Sequence, residues 1–178
     1  NRTFHVVLLR SLRALRADSL ATAAFERWVA LVPRDPAPYR ELARLLLAEG
    51  RDSQARGLVL RARTRLGDPG AAAAELAQVE MREAFFVRAA EEWRTAVVRE
   101  PELADAAAYS LQAVLPDERD GVLRALASGP SAAVGRQIGA ELLLGWNEPR
   151  RSWAMLRLSL PDAEVGRAAM LQRFAQRA

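Results

Sequence analysis

Shifted by 34 residues, the chain falls onto itself, and that period limits its fold more than any other feature. His5, Tyr39, Ala73 and Ala107 form one column, and Leu8, Leu42 and Leu76 another. Ala21, Ala55 and Ala89 form a third, Phe25, Val59 and Trp93 a fourth, and Pro33 and Pro101 stand two periods apart. A repeat of this length holds one supersecondary unit that cannot bury its own apolar face, so neighbouring units must stack.

The clearest unit spans residues 36–67. Tyr39, Leu42, Ala43, Leu45 and Leu46 share one helical face, and Ala55, Leu58, Val59, Ala62 and Leu66 share another. Gly50 lies between them, where a left-handed residue ends a helix without steric cost. Asp52 and Ser53 are candidate N-caps for the second helix. Asp35 before Pro36, and Asp68 before Pro69, give the cap-then-proline start of a helix.

The period of 34, small residues at the helix crossing (Ala21, Ala55, Ala89), a large apolar residue four later and a closing proline resemble the tetratricopeptide repeat. The resemblance implies an all-α, right-handed α-solenoid of about five helix–turn–helix units plus a C-terminal capping helix, in a bacterial protein. We expect one domain over 1–178, with units at about 3–33, 36–67, 70–101, 102–127 (degenerate, broken by Pro116) and 131–160, and the cap at 161–177. Expected helices are 3–15, 18–31, 71–82, 84–99, 102–115, 117–127, 131–144 and 149–158, with Gly145 as the turn residue of the last pair. Some residues depart from the repeat. Trp28 stands where Ala62 and Ala96 are small, and Arg16 and Ala84 replace the turn glycine. Glu80 lies on a face where Leu12 and Leu46 are apolar. A buried carboxylate needs a partner, so either that helix is rotated or Glu80 reaches an arginine.

Composition narrows the function. Half of the 178 residues are hydrophobic and cysteine is absent, so disulfide and thiolate chemistry are excluded. No run approaches the ~20 apolar residues of a membrane span. With His5 the lone histidine, a triad or metal cluster would need carboxylates and hydroxyls alone. His5 shares the Tyr39 column and reads as a packed ring. Glu91-Glu92 and Asp117-Glu118-Asp120 read as caps and solvated charge, and 67–70 as a turn rather than a phosphate loop. We therefore expect no enzyme activity, no cofactor and no metal. The chain opens at Asn1 without a signal-peptide pattern, so a piece of a longer or processed protein is expected, cytoplasmic or periplasmic.

All 26 basic residues are arginine, as a GC-rich genome would produce, but their placement is uneven. Residues 1–67 hold 13 arginines against 6 acids, 68–120 hold 5 against 12, and 121–178 hold 8 against 4. This basic–acidic–basic segregation suits an acidic partner on the first third, or head-to-tail homo-oligomerisation. The acidic middle opposes nucleic-acid binding.

One polar column stands out: Arg10, Arg44, Gln78 and Gln112, one period apart, flanked by small or apolar residues. Arg13 and Arg40 lie a helical turn from Arg10 and Arg44. In a stacked array this column lines the concave groove, and arginine forks there can grip carboxylates. Resemblance to tetratricopeptide proteins implies a protein or peptide ligand on that face. Some members clamp a C-terminal carboxylate with lysine, asparagine and arginine; here the only asparagines are Asn1 and Asn147, so only the basic part is present. Trp93 matches a core column, whereas Trp146, beside Gly145, is expected to be partly exposed and to mark a partner patch.

Overall fold

The computed structural model describes residues 1–161 and 164–177. Among them there are helices and no strand, in two compact units, Asn1–Arg82 and Glu83–Ala178. The first holds α1 (Arg2–Ala14), α2 (Asp18–Leu31), α3 (Ala37–Ala48), α4 (Asp52–Leu66) and α5 (Ala73–Arg82). The second holds α6 (Phe86–Arg99), α7 (Ala104–Leu111), α8 (Arg119–Leu126), α9 (Ala132–Gly145), α10 (Pro149–Leu156) and α11 (Glu164–Arg177). Short 3₁₀ turns, Pro101–Leu103 and Arg157–Ser159, precede α7 and follow α10. The degenerate unit thus owes its shortness to a 3₁₀ start and an eight-residue α7. Positions 162–163 of the expected cap lie outside the described residues.

In the first unit α1 pairs with α2 and α3 with α4; α3 packs on both helices of the preceding hairpin, and α5 on α3 and α4. This is the tandem stacking that the period predicts. The alanine column is buried, at Ala21, Ala55 and Ala89 alike. Phe25, Val59 and Trp93 are buried beside it. In the second unit the Trp93 indole donates to Ser110 Oγ at 3.2 Å, so its polar edge is satisfied within the core.

Trp28 is accommodated because His5 stacks on it, ring centroids 5.4 Å apart, and Phe25 meets Tyr39 edge-on. The large ring that departs from the repeat is thus matched by an aromatic partner from α1. Asp35 and Asp68 accept the backbone N–H of Ala37 and Gly70 across turns. Neither is a helix N-cap as expected: α3 is capped by Pro36 with no side-chain bond, and α5 starts only at Ala73. At Gly50 the chain turns at φ +71°, and the Arg51 N–H closes back onto Leu46 O at 2.8 Å. Arg16 takes the same left-handed form at φ +56°, closing Ala17 N–H onto Leu12 O, and Ala84 takes it at +58°. The turn geometry therefore persists without its glycine.

Two further local expectations are corrected. Neither Asp52 nor Ser53 caps α4: the N-cap is Arg51, with no side-chain cap, and Asp52 instead accepts from Arg82 Nη1 at 2.8 Å. Gly145 is the last residue of α9 rather than its turn residue; Asn147 adopts the left-handed form at φ +62°. Gly145 is small for another reason, since the Gln112 side chain occupies the space of a Cβ.

Arg16→Gly should stabilise the chain by about 0.5–1 kcal/mol, because glycine removes the Cβ clash of a left-handed residue. Ala55→Leu should destabilise it by about 1–3 kcal/mol through overpacking at this buried position. Urea midpoints measured for both variants check these signs.

Candidate functional site

The polar column of the first unit begins on α1 and α3. Arg10 Nε donates to Glu41 Oε1 at 2.5 Å, and Arg44 Nε pairs with Glu75 Oε1 at 2.8 Å. Arg40 Nε donates to the same Glu75 oxygen at 3.3 Å. Glu41 and Glu75 are one period apart, so the repeat carries an ion pair as well as an apolar face. Each arginine of the column reaches the first helix of the next hairpin. The carboxylates are the buried partners, Glu75 at 1% exposure and Glu41 at 5%. The arginines are open: the side chains of Arg10 and Arg44 keep 59% and 47% of their surface exposed.

These contacts use Nε, the inner edge of each guanidinium, and set the plane of the group from below. The Glu41 hydrogen bond raises the Arg10 pKa above the ordinary arginine value, so its charge is permanent. A buried carboxylate orients an exposed donor here, which is preorganisation of the kind that lowers the entropy lost on binding.

Arg13 has a different place. Its guanidinium donates to Asp18 Oδ1 at 2.8 Å and to both oxygens of Glu49, and it is nearly buried. It ties the α1–α2 turn to the end of α3, and its hydrogen bonds pull the Glu49 carboxyl below the usual range. Gln78 is exposed on α5, next in the row after Arg44. Gln112 belongs to the second unit, where its carbonyl accepts from Trp146 Nε1 at 3.3 Å. Trp146 is half-buried, with the Arg119 guanidinium 4.5 Å over its ring. Trp153 is the more open indole, and Phe174 of α11 lies 5.9 Å from it.

Glu80 reaches an arginine, as its burial demands: Arg56 Nη1 stands 2.6 Å from Oε1. Sequence reasoning missed the same role for Glu41 and Glu75. Their 34-residue spacing, each 31 positions after an arginine, was the available signal. In the second unit a hollow of about 390 Å³ opens among α7, α9, α10 and α11. Ile138, Leu156, Met170 and Phe174 form its apolar lining, with Glu102, Asp105 and Glu141 beside them. No helix among the described residues is long and apolar enough to cross a membrane.

Neither a family model nor a curated protein matches the sequence. Among solved structures, the chain is similar to the flexible tandem repeat domain of a bacterial cellulose synthase component. The two are 18% identical, with 96% of each chain covered and a TM-score of 0.44.

Replacing both Arg40 and Arg44 by Met leaves Glu75 buried and uncompensated, and should destabilise the chain by about 2–4 kcal/mol. Adding Glu75→Gln should recover most of that loss; urea denaturation of the three variants measures the coupling. For Glu49, the folded pKa is depressed, so its contribution is present above the unfolded value and disappears as pH falls through the folded one. The difference in urea midpoint between wild type and Glu49→Gln should therefore shrink as pH falls below about 5.

Proposed function

We propose that this chain is a protein-interaction scaffold whose first-helix row, carried by α1, α3 and α5, holds an extended segment of a partner. The observation behind this reading is the half-exposed pair of guanidinia, Arg10 and Arg44, each oriented by a buried glutamate and repeated at one-hairpin spacing. Packed helices lie ~8–10 Å apart, which is about three residues of extended chain at ~3.3 Å each. Donors at that spacing meet every third residue of a strand-like segment. Gln78 continues the row with a neutral donor and acceptor.

Charge limits what the row accepts. The Arg10–Glu41 pair is neutral, and Arg40 and Arg44 both direct a guanidinium at Glu75. Such a row suits backbone carbonyls and a single carboxylate better than a long acidic run. Arg13 supports the row through Glu49 rather than by touching the segment.

The test is capture of partner proteins from a lysate of the source organism by wild type and by the Arg10→Gln, Glu41→Gln double variant. Removing donor and carboxylate together leaves no orphaned charge, so the fold is kept. A partner held by wild type should be weakened about tenfold or more in the variant. Equal capture of every protein by both overturns this reading.

A further inference from the structure

We propose that the cleft between α2 and α4 is a second docking surface, shaped and charged for an acidic amphipathic helix of a partner protein. Two adjoining hollows of about 530 Å³ each run along it. They share Phe25, Glu26, Leu58 and Arg61, which makes them one trough. On α4 its lining extends from Ser53 to Arg65, ~18 Å at the helical rise, or a little over three turns.

Its floor is apolar, formed by Phe25, Leu42, Leu46 and Leu58 from three helices. Its rim is basic: Arg61 and Arg65 stand against the single lining carboxylate, Glu26, while Arg51 at one end is paired with Glu49. Arg61 and Arg65 differ from the arginines of the first-helix row. Both are exposed, and no ion pair or hydrogen bond to a described residue engages either guanidinium. Tyr39 lines the same trough, and its burial pushes the hydroxyl pKa up. An apolar floor beneath unengaged guanidinia matches a segment that carries apolar residues on one helical face and carboxylates beside them.

Gly57 supplies a second, independent sign. It lies inside α4, where glycine weakens a helix by roughly 0.5–1 kcal/mol relative to alanine. No heavy atom lies within 4 Å of where its Cβ would stand, so packing within the protein does not require it. The missing side chain leaves the trough open at its middle.

The probe is a fluorescein-labelled peptide of ~14 residues with Leu on one helical face and Glu on the other. A control peptide has Lys in place of Glu, and binding to the full chain is read by fluorescence anisotropy. Gly57→Trp places a ring in open space within the trough, and the Arg61→Glu, Arg65→Glu double variant reverses the rim without stranding an internal partner. We expect the Glu peptide to bind, the Lys peptide to fail, and each variant to weaken binding about tenfold or more, with helical circular dichroism and melting midpoint retained. Should Gly57→Trp fail to fold, the rim variant decides. Equal binding of the Lys peptide, or wild-type affinity in the folded variants, overturns the proposal. So does competition by single-stranded DNA of matched charge at equal strength, which would make the trough a phosphate groove.

Discussion

A carboxylate as deeply buried as Glu75 must be neutralised where it stands, and two guanidinia from α3 do this through a single oxygen. The first unit is arranged around that requirement and its repeat at Glu41. Small and aliphatic columns would let one hairpin slide against the next at little loss, since apolar contact is not directional. A buried charge is strongly directional: displaced by one turn, it loses its partner and keeps its desolvation penalty. The Arg–Glu pairs add little net stability for that reason, but they hold each hairpin to one register on its neighbour.

The same pairs account for how the outer surface is prepared. Each arginine of the row gives its inner edge to a glutamate and leaves about half its surface to solvent. The donors are thereby ordered and nearly neutralised together. Excess positive charge lies elsewhere in the unit, on the α4 rim where Arg61 and Arg65 share the lining with one carboxylate, Glu26. One unit therefore offers two chemically distinct faces, a neutral ordered row and a basic trough with an apolar floor.

Much of the fold was legible because it rests on short-range chemistry. Tyr39 and Leu46 share a face through helical geometry alone, and Asp35 and Asp68 close turns onto the backbone two residues on. Arg16 takes the glycine's conformation because the helix-ending hydrogen bonds around it demand that turn whatever the side chain, and Ala84 adopts the same φ. The local errors have one source. Asp52 is a good N-cap by type, yet Arg82 from another helix claims its carboxylate. Gly145 resembles a turn residue, yet its smallness answers to Gln112 packed against it. In both cases a group some 30 residues away outweighed the local preference.

The candidate site divides along the same line. The sequence by itself determined the hairpins, their period and the column Arg10–Arg44–Gln78, because helical spacing and turn residues act within a few positions. Only the tertiary structure decided which arginines are already engaged and which remain open. That depends on whether a carboxylate 31 residues away arrives within 2.5–2.8 Å of the guanidinium, as it does at Arg10 and Arg44. Electrostatic pairing inside a protein falls off over a few ångströms, a distance that no spacing along the chain encodes.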